Sequence, residues 1–586
     1  MKQDILNAAL GQVPADLVIT NGQIVNVFTG EIYPGGVAIS SDRIIAQGDV
    51  DYAIGQDTEV IDAEGNYLVP GFVEGHIHPE SANLSLTRFA EVVLAHGTTS
   101  VFTDLHEIGV VGGLDAMDAA LDEGKATPLK FRFVFPSHIP FSPGLETSGG
   151  AIDATTIEEA LRRDDVVGIS EVVSVYIGMG LPDLMQSIEA THRAGKVLSG
   201  HGPETTGPLW NAFAAAGILN DHEALSLEDV LVRVRNGVYA HLRHNLLVPT
   251  LPELLRAVTE QGLDTRLMGL VTDDTSAITL TEEGHLDHLV RLALSLGVPF
   301  PTAIQMVTLN IADSYRKANE IGSLAPGRFA DVNIVTGPED FRVLTTIANG
   351  KVIARDGKLI EPLSIPDHDP VLLDTFHLKA SVTADDLVIA APEDAAGAHV
   401  HAMSTLPYIP ITVGIEADLT VSNGHLGSDP SQDLLHIAVV ERHHATGNIG
   451  KAFIGGFGLK RGAIASSIAH DNHNIVVMGA DPEDMAVAVN AVADMQGGVV
   501  LVENGEVIAD IKLPIVGLLS DLEASTFAAQ RKEVLAKAQA LGCTVPEPFM
   551  FLSFITLAAI PAYAVTDKGY VDCMKQEIID PVLSWS

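Results

Sequence analysis

The chain has 586 residues, of which 47% are hydrophobic and 19% charged. That is too long for one compact core, so two to four domains are expected. A formal net charge of −42 repels nucleic acid and anionic membrane and excludes both as partners. The two cysteines, Cys543 and Cys573, exclude a disulfide framework and a cysteine-based zinc site.

The first thirty residues, "MKQDILNAALGQVPADLVITNGQIVNVFTG", lack a basic start followed by a continuous apolar run. No stretch of about twenty apolar residues follows, so neither a signal peptide nor a membrane span is expected, and the cytoplasm is the expected compartment. Residues 1–69 read as short strands broken by Asn-Gly, Gly-Gly and Ser-Asp turns. A similar texture returns over 326–366, in "PGRFADVNIVTGPEDFRVLTTIANGKVIARDGKLI". The two flanks are expected to form one composite small β-domain.

Between them, residues 70–325 alternate strand-like and helix-like segments. The strand candidates are "YLVPGFVEGHIH", "TSVFTDLH", "KFRFVFPSH", "VVGISEVV", "KVLSGHGP", "GILNDHE", "GVYAHLRHN" and "LMGLVTDD". Helical stretches such as "TTIEEALRRD", "LPDLMQSIEATHRAG" and "SLEDVLVRVRNG" lie between most of them. Eight repeats of this kind predict an α/β fold, a (β/α)8 barrel with its site at the C-terminal strand ends. Residues 367–586 form a third block of α/β or α+β character. Its strands include "HIAVVERHH" and "NIVVMGA", and its helices "DPEDMAVAVNAVADMQGG" and "ASTFAAQRKEVLAKAQALG".

The strand ends carry the chemistry. Strand one ends in His76 and His78. On an extended strand, residues two apart face the same way, so both imidazoles are expected on one side. Strand two ends in Asp104, followed by His106 and Glu107. Glu171 lies on strand four, His201 on five, His222 on six, and Asp273 and Asp274 on eight. All are ligand types for a borderline divalent metal, gathered where a barrel builds its mouth. Chance placement explains any one of them better than it explains the set. Glu171 has a competing reading as a solvated strand end. Asp273 and Asp274 have one as caps of the next helix. His106 and Glu107 are read as lying outside the ligand set or facing substrate.

"PGFVEGHIH", "HGTTSVFTD" and "GSLAPGRFADV" resemble the amidohydrolase superfamily. "GKAFIGGFGLKRGAIASSIAHDNHNIVVMGADPEDMAVAVN" and "LSFITLAAIPAYAVTDKGYVD" narrow the resemblance to its adenine deaminase family, over essentially the whole chain. The resemblance implies a metal-dependent hydrolytic deaminase with two divalent ions, manganese or iron and alternatively zinc. One ion would be held by His76, His78 and Asp273 and the other by His201 and His222, with Glu171 bridging. It further implies that Asp273 shuttles a proton, that Asp274 meets a ring nitrogen of a purine-like substrate, and that His106 and Glu107 steer substrate protons. A homo-oligomer, dimer or larger, is expected, since most soluble oligomers are symmetric homo-oligomers.

Several segments depart from the family pattern. The stretch after Glu171 reads "SEVVSVYIGMG", that after His201 "HGPETTG", and that around Arg243 "LRHNLLV". Thr275 follows the Asp pair where Arg is common, and Leu105 replaces the Pro of Asp-Pro-His-Glu. None removes an expected ligand, and several are expected to line the substrate pocket. A metal-dependent hydrolase of another purine, a pterin or a cyclic amide is therefore the alternative. A non-catalytic binding barrel is a second, opposed by the intact ligand set. In the C-terminal block, Arg442, His443, His444, His470, Asp471 and His473 form a cluster. It is either a buried network or subunit contact, or a group that reaches the barrel mouth.

Overall fold

A computed structural model describes residues 3–245, 248–406, 409–559 and 562–586. A nine-stranded sheet joins both flanks of the barrel: Tyr67–Pro70 pairs antiparallel with Val332–Val335, with Val69 opposite Asn333. Ile19, Ile24, Ile39, Leu68, Ile334 and Ile347 fill its core. A short helix, Gln3–Ala9, precedes the first strand, where the turn-rich reading expects only strands.

The barrel is an eight-stranded parallel sheet. Its strands are β1 (Phe72–Glu74), β2 (Thr98–Thr103), β3 (Lys130–Pro136), β4 (Val166–Val173), β5 (Val197–His201), β6 (Asn220–Asp221), β7 (Tyr239–Arg243) and β8 (Met268–Val271). Seven lie within their predicted segments, and β2 begins one residue before its own, at Thr98. The helices fall where the sequence expects them. Leu227–Arg235, for example, begins with a capping box between Ser226 and Asp229. Inward-facing Val73, Phe102, Val134, Val167, Val197 and Val271 fill the interior with Ile311 and Tyr315, which makes the barrel a packed core and not a pore.

The seam between β1 and β8 is closed by a side chain. Glu74, buried, accepts hydrogen bonds from the Thr272 amide (3.1 Å) and hydroxyl (2.8 Å) with one oxygen. Its other oxygen accepts from the His76 amide (3.1 Å). The Asp273 amide then donates to the His76 carbonyl at 3.0 Å. The end of β8 is thereby tied to the loop that carries the first histidines.

The C-terminal region is α+β, built on a ten-stranded sheet that is antiparallel except where Gly397–Leu406 runs parallel to Ile449–Gly455. Both faces are apolar. In Leu435–Val440, Ile437 and Val439 join the barrel-helix core, while Ala438 and Val440 pack under helix Pro482–Asp494. Burial on both faces explains the unbroken apolar runs of this block. Among the described residues no helix is long and apolar enough to cross a membrane.

His368 staples barrel to C-terminal region: its ring meets Glu123 (3.2 Å) and Asp521 (2.7 Å). Hydrogen bonds to Asp521 and Glu123 push its pKa up to about 10. A raised folded-state pKa contributes stability that is complete below the unfolded value near 6.5 and is lost as pH rises through about 10. Discounted for solvent screening, His368→Gln is expected to cost about 1–2 kcal/mol at pH 6 and little at pH 10.5. Denaturant midpoints of both proteins at the two pH values check this.

Candidate metal centre and active site

β1 ends at Glu74, so His76 and His78 stand in the following loop and not on a strand. The period-two argument for their common direction does not apply. They converge because the loop turns, with their rings edge to face at 4.9 Å. His76 Nε2 lies 3.4 Å from both Glu171 Oε1 and Asp273 Oδ1. His78 Nε2 lies 3.7 Å from Asp273 Oδ1. His201 Nδ1 is 2.6 Å from Glu171 Oε2, and His222 Nε2 is 3.5 Å from Glu171 Oε1. The His76 and His222 rings stack at 3.7 Å. The fold thus brings all six expected ligands into one cluster, with Glu171 facing three of the histidines.

Two of the carboxylates are aimed by unusual backbone. Glu171 has φ +55° inside β4, where the pairing with β5 shifts register, and Asp273 has φ +58° just past β8. Left-handed backbone at non-glycine residues costs of order 1–3 kcal/mol and is held only where surrounding structure enforces it. Here it swings each carboxylate over the mouth.

The residues fit a metal ion. His76 Nε2, Glu171 Oε1 and His201 Nδ1 are all buried and lack hydrogen-bond partners, although they lie within 4 Å of oppositely polar atoms. Their lone pairs converge on shared space instead of on one another. Among the described residues, four overlapping groups of three ligands each arise at the mouth: His76, His78, Asp273; His76, Glu171, His222; His201, His222, Glu223; and His78, Asp104, Glu171. All offer nitrogen or oxygen, a donor set suited to manganese, iron or zinc. The local field matches. Burial opposes ionisation of Glu171, but His201, His222 and His76 outweigh it and hold the carboxyl well below its ordinary range. For Asp273, burial is likewise outweighed by Arg243 and His76. His201 is pulled down by burial but raised more by Glu171 and Glu223, to about 10.

Sequence reasoning missed Glu223 and Glu74 and left Asp104 outside the ligand set. Asp104 Oδ1 lies 3.1 Å from His78 Nδ1 and orients that ring. Glu223 lies 3.2 Å from His222 and takes a two-pronged contact from Arg243 at 2.7 and 2.9 Å. Arg243 also pairs with Asp273. The one legible signal for Glu223 was its place after His222 in "NDHE", which parallels Glu107 after His106. Behind the histidines, the buried Asp221 accepts from Arg233 Nε (2.5 Å) and from the Gly202 amide (2.8 Å). Arg233 donates in turn to the Gly202 carbonyl (2.9 Å). This buried ion pair fixes the backbone beside both His201 and His222.

The helix that follows the Asp pair, Ala277–Glu282, is capped by Ser276, whose hydroxyl accepts from the Thr279 amide. Capping therefore does not account for Asp273 or Asp274. Asp274 accepts from the Ser81 hydroxyl at 2.5 Å. Burial and neighbouring Asp273 raise its pKa against the pull of His78 and His470. His106 and Glu107 open the helix His106–Lys125. His106 is buried and neither ring nitrogen has a hydrogen-bond partner. Leu105 before it stands at φ +51°, a conformation closed to proline, whose ring fixes φ near −65°. The Leu-for-Pro departure therefore changes the backbone ahead of His106 and Glu107.

A cleft opens between the barrel mouth and the C-terminal region, lined by Glu80, Ser81 and Glu107 on one side and His470, His473 and Phe549 on the other. The C-terminal cluster divides between its two readings. Arg442 and His443 lie in a buried network, while His470 and His473 reach Glu107 across the cleft. His444 meets the Ser148 carbonyl at 2.9 Å. Two of the altered loops meet each other: the Ser174 and Thr205 hydroxyls are 2.6 Å apart. Of the third, Leu246 and Leu247 lie outside the described residues, and Asn245 ties to the Thr272 carbonyl at 3.1 Å.

Residues 67–353 match the model of the amidohydrolase family, and residues 410–577 match that of the adenine deaminase C-terminal domain. An adenine deaminase of Clostridium botulinum (strain ATCC 19397 / Type A) is 37% identical over 99% of this chain and 97% of its own. Adenine deaminase 4 of Rhizobium meliloti (strain 1021) is 38% identical over the same shares. The solved D-hydantoinase of Thermus sp. superposes with a TM-score of 0.44 at 14% identity, covering 59% of this chain and 97% of its own.

Proposed function

The chain belongs to the adenine deaminase family of amidohydrolases, and from that premise we propose that it hydrolyses adenine to hypoxanthine and ammonia. The observation that carries the reading is the set of buried, unpartnered histidine nitrogens and carboxylate oxygens converging beside the Asp273–Asp274 pair.

His76, His78, Glu171, His201, His222 and Asp273 would hold two divalent ions, manganese or iron in preference to zinc, with Glu223 and Asp104 as close partners. When bound, the ions lower the pKa of water from about 15.7 towards 7. Asp273 accepts the proton of the water that attacks C6 and returns it to the departing amine. This is general acid–base work, typically contributing about 10²–10⁴-fold. Arg243 holds Asp273 in place through its second oxygen. Asp274, its carboxyl pushed up by burial and by neighbouring Asp273, meets a ring nitrogen of the purine, and Ser81 fixes its orientation. His106 and Glu107 face the same mouth and meet the far edge of the base. The C-terminal region roofs the cleft and excludes water. The setting we infer is cytoplasmic, with the chain assembled as a homo-oligomer.

A second reading, another purine, a pterin or a cyclic amide, is favoured by the changed backbone at Leu105 and by the contact between altered loops at Ser174 and Thr205. Loss of one buried hydrogen-bond partner costs about 1–3 kcal/mol, or one to two orders of magnitude in discrimination. An ammonia-release screen of metal-reconstituted protein against adenine, adenosine, guanine, isoguanine, pterins and cyclic amides decides. Adenine is expected to rank first. If it ranks well below another compound, the substrate assignment falls.

A further inference from the structure

Glu107, His470 and His473 are all buried, and their polar atoms lie close enough to hold an ion. The hydrogen bonding argues otherwise. The Ala469 amide donates to His473 Nδ1 at 3.3 Å. Nδ1 is therefore unprotonated, the ring proton sits on Nε2, and Nε2 faces Glu107 Oε2. A nitrogen that carries a proton is a donor and not a ligand. His470 Nδ1 meets the other oxygen, Glu107 Oε1, at 3.0 Å. Each oxygen of one barrel carboxylate thus faces one histidine of the C-terminal region.

We propose that His473 and His470 are positioning residues of the active site, supplied by the C-terminal domain, which clamp the Glu107 carboxylate in its working orientation at the barrel mouth. The inference rests on the deaminase reading above, in which Glu107 meets substrate.

The surroundings of the two rings support it. Both lie in the loop between strands Ala463–Ser466 and Ile475–Gly479, and this loop is braced along its length. Arg442 Nε donates to the His473 carbonyl (2.5 Å), and its other nitrogens reach the Thr375 and Val516 carbonyls. His443 Nε2 meets the Asn472 carbonyl at 2.8 Å. The His470 amide donates to the Ser553 carbonyl (3.1 Å), and the Thr556 hydroxyl donates to the His470 carbonyl (2.6 Å). Burial pushes the Arg442 guanidinium down to about 9, so this brace is held at an electrostatic cost. The fate of the two rings differs. Burial keeps His473 neutral, as a donor through Nε2 requires. For His470, burial is outweighed by Glu107, Asp471 and Asp274, which favour the imidazolium. The carboxylate therefore receives one neutral and one charged donor, which together define the carboxylate plane. Neither histidine reaches the metal ligands, so their influence on turnover must pass through Glu107.

The test combines a spectroscopic readout that needs no substrate with a rate cycle. In ¹⁵N-histidine-labelled, zinc-loaded protein, His473 is expected as the neutral tautomer with its proton on Nε2. That proton resonance should shift on Glu107→Gln. In the cycle, His473→Leu should lower kcat about 100-fold, the scale of a small misplacement of a catalytic group. His473→Gln, which keeps a donor at the same reach, should recover to within about 10-fold. On the Glu107→Gln background, His473→Leu should cost less than about 3-fold, because the two act as one unit. The rates are read with whichever compound the screen ranks first. Failure with adenine therefore removes the substrate assignment, while the tautomer and the coupling still report on the clamp. An Nδ1-protonated His473, equal losses on both backgrounds, or a third ion per chain that His473→Leu releases would overturn the clamp. A His473→Leu chain that does not fold leaves His473→Gln and the tautomer to decide.

Discussion

Asp273→Asn is expected to lose about 10³-fold in kcat while keeping its fold, because asparagine matches the shape of the carboxylate but cannot accept and return a proton. Three features separate the chemical effect from a structural one. Asp273 stands at φ +58°, and asparagine is among the few residues at ease there, so the backbone is not disturbed. Arg243 keeps its contacts to Glu223 at 2.7 and 2.9 Å and is not left as an unpaired buried charge. The Asp273 amide still donates to the His76 carbonyl, which preserves the seam between the first and last strands. Thermal midpoint should therefore stay near wild type, and metal content measured on the same preparation separates loss of the proton acceptor from loss of an ion. Turnover close to wild type would show that the proton passes through another group, such as Asp274.

The second large effect is at Glu171. Its carboxylate faces His76, His201 and His222 at 3.4, 2.6 and 3.5 Å, more of the expected ligands than any other carboxylate reaches. Glu171→Ala removes the negative charge that offsets those nitrogens and leaves the left-handed backbone of β4 with a Cβ as before. Metal content is expected to fall from about two ions per chain to one or fewer. Turnover should fall below about 10⁻³ of wild type as the activated water is lost. Elemental analysis of both proteins after identical reconstitution, beside a chelator-treated wild type, checks this. A metal-free preparation with full activity would sink the centre as assigned.

The barrel was legible because each of its strands is a short apolar run closed by a helical period, and that pattern is local. The ligand histidines were legible for the same reason, since each ends a strand or follows one within four residues. What stayed hidden depends on partners distant in sequence. Glu74 reads as an ordinary strand-end acid, yet its partner Thr272 is 198 residues away. Glu223 is defined by Arg243 and by His222 together. His76 and His78 were placed on a strand because "GFVEGHIH" has strand composition, but Gly75 sits against Ile311 and Val271 side chains, and the chain turns there. The C-terminal cluster resisted reading because one stretch, "AHDNHN", holds rings that face the barrel beside amides that only brace them. Composition does not distinguish these two tasks.

The two-faced C-terminal sheet also sets an order of events during synthesis. The last barrel helix ends at Ser314, while the final strand of the main sheet run ends at Lys512. About 200 residues separate them, roughly 10–40 s of translation at about 5–20 residues per second. Throughout that interval the barrel side of the shared apolar cluster lacks Ile437, Val439, Val499 and Leu501, since the sheet that carries them is still to be made. A nascent barrel of this kind leaves the ribosome with adhesive surface exposed, and its yield in a cell is expected to depend on chaperone supply during those seconds more than on the stability of the finished protein.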